Sequence, residues 1–188
     1  GMGAYTPVPQ IPEEAVQQAI SQVLKPTAKG MVAEKRPFQG ILYAGLIQTA
    51  TGPKVIEFNA RFGDPETQVV LARLESPLSE IISSLLAKEQ PTIAWNELAS
   101  VGVVVAAEGY PNQYKTNLPL PEMSGETIHY AGVTRSEQAL VSAGGRIFLA
   151  EATASTLEEA RKKVYQTLDN YSFPGMYYRK DIGVKGLI

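Results

Sequence analysis

The sequence predicts an α+β fold, in which strands and helices occur in runs without a regular strand–helix–strand alternation. From Ile41 onward, two β-rich runs, ILYAGLIQT and KVIEFNA, are separated only by ATGP, whose Gly and Pro favour a turn, so a hairpin is expected. Later strand-like runs follow one another before the amphipathic segment STLEEARKKVYQTLDNY. Both observations favour antiparallel sheets with attached helices.

Composition limits the possible functions. The 188 residues are 44% hydrophobic, which is enough for one large domain or two small ones. Seventeen basic residues against 19 acidic ones give a net charge of -2, so there is no basic field to attract nucleic acid. Without cysteine there is no disulfide or thiolate metal site. We see no signal segment or membrane-crossing apolar run, so a cytoplasmic protein without a membrane partner is the default expectation.

The first 95 residues are predicted to contain helices around the hairpin. Pro12 and two acidic residues are typical of a helix start, and apolar spacing continues the helix to Leu24, where Pro26 is expected to limit it. After the hairpin, DPETQVVLARLESPLSEIISSLLAKEQ predicts two helical pieces divided at Ser76-Pro77. Asp64 is a natural N-cap for the first piece, with Pro65 at its first helical position.

A change in residue composition and hydrophobic periodicity after Trp95 predicts a domain boundary, with domains at 1–95 and 96–188. VGVVVAAEGYP is a buried-strand pattern, and ETIHYAGVT and GGRIFLAEATA are further strands. The helix that follows has Ser155 as its expected cap, with Glu158 completing a capping box. MYYRKDIG could return as a short strand.

The segment VIEFNARFGDPE places polar groups at alternate positions of the second hairpin strand. In a strand, Glu57, Asn59 and Arg61 share one face, while Ile56 and Phe58 point to the other, which we expect to be core. Carboxylate and amide oxygens suit Mg²⁺, and an arginine fork suits phosphate. An ordinary solvent-facing sheet surface is the simpler interpretation of these residues taken singly.

The extended motif EFNARFGDPETQ, together with GMGAY, LYAGL, AAEGYP and the terminal YRKDIG, closely resembles the C-terminal part of the phosphoribosylamine–glycine ligase family of purine biosynthesis, whose members are ATP-grasp enzymes. The resemblance covers essentially all of the chain. It implies the C-terminal part of an ATP-grasp domain followed by a small mixed, mainly antiparallel domain. It also implies that the N-terminal portion of such an enzyme is missing here.

The resemblance further implies roles for individual residues. Glu57 and Asn59 look like the ligands of a Mg²⁺ or Mn²⁺ ion that bridges ATP phosphates, and Arg61 looks like the adjacent catalytic cation. The family joins glycine to phosphoribosylamine at the expense of ATP, through a glycyl phosphate. Because one lobe of the nucleotide site has no counterpart, we expect the chain alone to be inactive and to need the N-terminal portion as its partner.

Other candidate residues have two interpretations each. Asp64 and Glu66 could orient substrate polar groups at a helix start, but Asp64 as a simple N-cap explains the pattern equally well. Tyr110 could line the cleft from the second domain, although a turn needs the same Gly-Tyr-Pro. Gly1–Gly3 resemble the end of a glycine-rich substrate loop, yet a flexible terminus is the favoured interpretation. His129 is expected to be structural.

Two functional alternatives stay open. Another ATP-grasp carboxylate–amine ligase would share Glu57, Asn59 and Arg61, whereas the motif from Gly63 to Gln68 favours the glycine ligase. A noncatalytic fragment or interaction module that retains the fold is the alternative from a different class.

Overall fold

The computed structural model describes residues 1–123, 127–137 and 139–188, and these divide into two compact units. Unit 1 consists of Gly1–Pro7, Asp64–Arg73 and Asn96–Ile188, and unit 2 of Val8–Gly63 and Leu74–Trp95. Residues 1–7 and 64–73 thus fold with the C-terminal half of the chain. The division of the sequence into domains 1–95 and 96–188 stays a proposal.

Unit 1 is built on a five-stranded antiparallel sheet with the strand order β1-β4-β8-β5, in which β9 also pairs with β4. Its elements are β1 (Gly3–Thr6), α3 (Glu66–Leu71), β4 (Ala99–Ala107), β5 (Thr127–Tyr130), β6 (Val133–Ser136), β7 (Ala139–Ser142), β8 (Arg146–Ala154), α5 (Leu157–Asp169) and β9 (Met176–Tyr177), and β6 and β7 form a separate two-stranded sheet. The predicted strand ETIHYAGVT begins at Glu126, which lies outside the described residues; the rest of it forms β5 and the start of β6.

Strand β4 is buried at all nine positions, which explains why Ser100 is the one polar residue in its sequence. On one face its odd-numbered side chains join the apolar face of α5 in the main core. On the other face, a Cβ atom added to Gly102 would lie 2.9 Å from the side chain of Val69 in α3, so this helix packs directly on the sheet. Both faces of β4 are covered, and alternation with polar residues is therefore not required.

The helix α5 is capped one residue later than predicted. Thr156, not Ser155, is the N-cap, and its hydroxyl oxygen accepts a hydrogen bond from the Glu159 backbone N–H. The Ser155 hydroxyl instead donates to the Glu159 carboxylate at 2.8 Å. This hydrogen bond lowers the pKa of Glu159 below its ordinary value. Ser155 and Thr156 are both good caps, and the start of the buried face at Leu157 selects between them.

Unit 2 contains the predicted hairpin, three α-helices and one π-helical turn. They are α1 (Glu13–Ala19), a π-helical turn (Ile20–Leu24), α2 (Lys25–Ala33), β2 (Tyr43–Thr49), β3 (Gly52–Asn59) and α4 (Leu78–Leu86). The prediction that Pro26 limits the first helix is wrong, since α2 runs on through it. The π-helical turn, which ends two residues before Pro26, resets the hydrogen-bond pattern and places the proline near the start of α2, where its missing N–H is tolerated.

The apolar face of the hairpin is not a core in this structure. Phe58 is 41% exposed and Ile56 67% exposed, so the prediction that this face is buried is wrong for this chain. Of the described apolar residues, unit 2 contributes only Ala15 and Ile81 to the buried set. Other large apolar side chains of unit 2, such as Val32 and Leu86, are themselves exposed, so they form no packed core for this face to join. None of the described helices is long and apolar enough to cross a bilayer.

Candidate functional site

Glu57 and Asn59 form the centre of the candidate site in unit 2. They lie two positions apart on β3, opposite Gly45 and Tyr43 of β2, so both side chains project from the same face. The Asn59 side-chain amide donates a hydrogen bond to Glu57 Oε1 at 3.2 Å. The alternation seen in the sequence therefore brings a carboxylate and an amide into direct contact.

Gly45 contributes to this geometry, although no role was predicted for it. A Cβ atom at Gly45 would lie 3.1 Å from Cγ of Glu57, so the absence of a side chain there leaves room for the glutamate. The pairing register shifts between Gly45 and Leu46, directly beside the site. A glycine inside a strand pattern is a recognised signal of a bulge or a close approach, and LYAGL carries that signal.

The pair fits a divalent cation bound together with a ligand. Both residues carry hard oxygen donors, and rotation of the Asn59 amide would turn its carbonyl oxygen toward Glu57, where a cation would replace the N–H group as partner. Within the described residues there is no cluster of three or more His, Cys, Asp or Glu side chains that could hold a metal ion. Two protein oxygens suit Mg²⁺, which usually completes its shell with water and phosphate oxygens.

Arg61 follows Asn59 but lies beyond the end of β3. Its guanidinium donates to the carbonyl oxygen of the neighbouring Phe62 at 2.7 Å and is exposed. One such hydrogen bond leaves most of the five N–H donors of the guanidinium for other acceptors. The described geometry is therefore compatible with a phosphate-side cation.

Asp64 lies in unit 1, where its environment differs from the predicted helix cap. The residue assigned as the cap of α3 is Pro65, and no side chain caps this helix. The Asp64 carboxylate instead forms an ion pair with Arg146, with 3.1 Å between Oδ2 and Nη2. The N-cap interpretation of Asp64 is wrong because the arginine competes successfully for the carboxylate.

Glu66 and Tyr110 also lie in unit 1. Glu66 is the first residue of the six-residue helix α3. The carbonyl oxygen of Tyr110 accepts a hydrogen bond from the Tyr177 hydroxyl at 3.0 Å, and its ring is 6.0 Å from that of Tyr114. Packing of a turn accounts for these contacts, so a substrate role for Tyr110 stays a proposal.

His129 has a structural setting at the edge of the sheet. Its Nε2 atom is 3.7 Å from the buried Glu151 carboxylate. Glu151 also accepts a hydrogen bond from the buried Ser100 hydroxyl at 2.9 Å. The three side chains lie in a row across β4, β8 and β5, in which Ser100 and Glu151 are hydrogen-bonded and His129 makes only the longer contact.

Two family models match separate parts of the chain. One is described as the phosphoribosylglycinamide synthetase ATP-grasp (A) domain and matches residues 1–67. The other is described as the phosphoribosylglycinamide synthetase C domain and matches residues 100–185. The chain belongs to the phosphoribosylglycinamide synthetase family.

Curated relatives of this family align with the whole chain. It is 51% identical to the phosphoribosylamine–glycine ligase of Halalkalibacterium halodurans, of which it covers 45%. It is 50% identical to the enzyme of the same name from Lactococcus lactis, of which it covers 46%. The chain thus spans about half the length of the phosphoribosylamine–glycine ligases it matches.

Solved structures confirm the ATP-grasp fold. The phosphoribosylamine–glycine ligase of Thermotoga maritima is 31% identical and superposes with a TM-score of 0.87 over 97% of this chain and 46% of its own. The biotin carboxylase domain of a Hydrogenobacter thermophilus carboxylase is only 16% identical but has a TM-score of 0.67, with 98% of this chain and 44% of that one covered. The predicted α+β class and the ATP-grasp family are both confirmed.

Proposed function

We propose that this chain is the C-terminal portion of a phosphoribosylamine–glycine ligase of de novo purine biosynthesis. The observation that carries the proposal is its 51% identity, along its entire length, to the ligase of H. halodurans. In the proposed reaction the γ-phosphoryl group of ATP passes to a carboxylate oxygen of glycine, giving ADP and glycyl phosphate. The amine of phosphoribosylamine then attacks the acyl carbon and expels phosphate, which leaves the amide bond of glycinamide ribonucleotide.

The residues of unit 2 are assigned to the phosphoryl-transfer step. Glu57 and Asn59 would hold the divalent cation, Mg²⁺ or Mn²⁺, through their side-chain oxygens. The cation, when bound, supplies charge neutralisation between ATP phosphate oxygens. Arg61 would add positive charge beside the transferred phosphoryl group. The contact between Glu57 and Asn59 supports this assignment because it places both donors on one face.

The residues of unit 1 are assigned to the substrates. Asp64 and Glu66 would accept hydrogen bonds from substrate N–H or O–H groups, and Tyr110 is a weaker candidate for the same role. No protein nucleophile is needed, since the amine of the second substrate attacks the acyl phosphate directly. A cytoplasmic location stays a prediction from composition.

The isolated chain is proposed to lack turnover. An open pair of metal ligands leaves a nucleotide hydrated, whereas an acyl phosphate needs an enclosed site that excludes water. For turnover, the chain would need the N-terminal portion of the enzyme as well as the substrates ATP, glycine and phosphoribosylamine. The two alternatives, another ATP-grasp ligase and a noncatalytic module, lack a comparable observation in their favour.

A fusion protein tests the proposal. The part of the H. halodurans ligase that this chain does not match is joined to residues 1–188, and glycinamide ribonucleotide is measured. We expect ADP formation that requires both glycine and phosphoribosylamine, and its loss in the Glu57→Ala fusion but not in a Glu34→Ala fusion, since Glu34 is an exposed glutamate at the end of α2. A folded fusion that binds its substrates but forms no product would favour a noncatalytic module.

A further inference from the structure

Two segments that the sequence marks separately meet in unit 1. Gly1 lies against Pro65, because a Cβ atom added to Gly1 would lie only 2.5 Å from Pro65 Cδ. Gly1 begins the GMG segment, and Pro65 belongs to the GDPE segment. The two candidate substrate segments are therefore neighbours, although about 60 residues separate them.

Arg146 binds both segments at once. Its Nη1 donates to the carbonyl oxygen of Asp64 at 2.7 Å and to that of Gly1 at 3.3 Å. Its Nη2 is 3.1 Å from Asp64 Oδ2. The planar guanidinium thus engages the main chain and the carboxylate of Asp64 together, a geometry that an ammonium group cannot reproduce.

The position of Arg146 is itself fixed by the sheet. It is the first residue of β8 and pairs with Ala106 of the buried strand β4. Its carbonyl oxygen accepts a hydrogen bond from the Gly132 N–H at 3.0 Å. Its side chain is only 24% exposed, which limits the water that could compete for the guanidinium. A rigid strand therefore carries the group that joins two loop segments.

We propose that Arg146 is a positioning residue of the ligase site, which holds the GMG and GDPE segments together and orients the Asp64 carboxylate toward a substrate amine. This inference rests on the proposed function. The Asp64 side chain is 48% exposed, and a carboxylate that is paired with one guanidinium still has acceptor capacity for an N–H donor. Glycine and phosphoribosylamine both carry such an amine, whereas the triphosphate of ATP does not.

The first test asks whether Arg146 holds the N-terminal segment in the isolated chain. The Val104 N–H donates to the Met2 carbonyl oxygen, so its hydrogen exchange reports on that segment. In Arg146→Gln we expect the Val104 amide to exchange faster, by about tenfold, while the Ala160 amide in α5, which donates to the Thr156 carbonyl oxygen, is unchanged. Arg135→Gln, at an exposed arginine of β6, is the matched control.

The second test asks whether the contacts of Arg146 with the GMG and GDPE segments contribute to the reaction. It uses the fusion protein described above. In Arg146→Gln we expect KM for glycine or phosphoribosylamine to rise by about 10- to 100-fold, with KM for ATP within about twofold of the parent. Arg146→Lys keeps the positive charge but loses the planar, two-pronged guanidinium. Its KM should therefore lie between those of the parent and Arg146→Gln. Asp64→Asn should raise the same KM, and combining it with Arg146→Gln should add little.

The outcomes separate this proposal from the proposed function. Unchanged hydrogen exchange at Val104 in Arg146→Gln overturns the positioning proposal, because Arg146 would then not restrain the GMG segment. Faster exchange with an equal loss in every kinetic constant, ATP included, also overturns it, since the role would be structural only. An inactive parent fusion refutes the proposed function, and the positioning role then falls with it even if the exchange result stands.

Discussion

At the scale of single residues, the contact between Glu57 and Asn59 carries a prediction about metal dependence. Both side chains project from an open strand, so Asn59→Ala should change the free energy of unfolding by no more than about 0.5 kcal/mol. In the active fusion it should raise the Mg²⁺ concentration needed for half-maximal activity by at least about tenfold, because a cation ligand is lost. Gln48→Ala, an exposed amide on β2, is the control. Equal Mg²⁺ requirements in all three proteins would remove Asn59 from the metal site.

Phe58 carries a second prediction at this scale. The sequence alone predicts that Phe58→Ala costs the ~3–5 kcal/mol typical of a buried aromatic ring. Because the ring is 41% exposed in this structure, we expect a clearly smaller loss in the isolated chain, about 1–2 kcal/mol. Urea denaturation of the parent and the variant measures the difference. A loss of the full size would mean that the ring is buried in solution.

Sequence reasoning could find some residues of the candidate site and not others. The period of a strand is sufficient to place Glu57 and Asn59 on one face, so their contact was predictable. Arg146 was not, because its importance comes from contacts with residues 82 and 145 positions away in the chain. No local pattern encodes such a long-range contact, although the glycines before it mark a turn.

At the scale of secondary-structure elements, the C-terminal YRKDIG segment is hydrogen-bonded to α5. The Asp169 carboxylate at the end of α5 accepts hydrogen bonds from the Lys180 ammonium at 2.7 Å and the Tyr178 hydroxyl at 2.8 Å. The Tyr165 hydroxyl on the same helix donates to the Arg179 carbonyl oxygen at 2.7 Å. The motif therefore has a structural role in unit 1.

The hydrogen bonds to Asp169 predict a pH dependence of stability. The hydrogen bond from Lys180, followed by that from Tyr178, lowers the pKa of Asp169 below its ordinary value of 3.8. A lowered carboxyl pKa contributes stability that is fully present above pH 3.8 and is lost as the pH falls through the lower pKa of the folded state.

Asp169→Asn should remove that part of the acid dependence. We expect a parent whose stability falls more steeply than that of the variant as the pH drops below about 4, with a difference that shrinks at high salt because the group is exposed. Thermal unfolding between pH 2.5 and 6 in low and high salt measures it. Parallel pH profiles of the two proteins would show that Asp169 does not contribute.

The order and type of the elements were largely predictable, and the errors have local causes. The hairpin, the buried strand β4 and the helix α5 follow from periodicity and turn residues, and the structure confirms them. The continuation of the helix through Pro26 was not predictable, because it depends on a π-helical turn that no simple pattern indicates. The cap of α5 at Thr156 was missed since two adjacent residues have nearly equal capping ability.

At the scale of the whole molecule, the two units differ in how much core they contain. Almost all of the buried apolar residues described are in unit 1, and unit 2 contributes only Ala15 and Ile81. A unit with so little buried apolar surface has a small free energy of unfolding. Unit 2 is therefore expected to open first when the isolated chain is destabilised.

Limited proteolysis tests this expectation. We predict early cuts in unit 2, including one within residues 88–95, which follow α4 and begin with three exposed residues, while a fragment from Asn96 to Ile188 persists. Mass spectrometry of the fragments at low protease concentration gives the order. Early cuts in β4 or α5, with residues 8–63 intact, would contradict the prediction. A stable C-terminal fragment would also support the proposed boundary near residue 95.

The most direct test of the account is to mix two purified polypeptides, residues 1–188 and the part of the H. halodurans ligase that this chain does not match, and to measure ADP formation that depends on both glycine and phosphoribosylamine. We predict no turnover by either polypeptide alone. We predict turnover in the mixture, which rises with the concentration of residues 1–188 to a plateau and is absent with Glu57→Ala. Two results would contradict this prediction. One is turnover by residues 1–188 alone in samples that are free of host ligase, and the other is a mixture that forms a stable complex but makes no ADP.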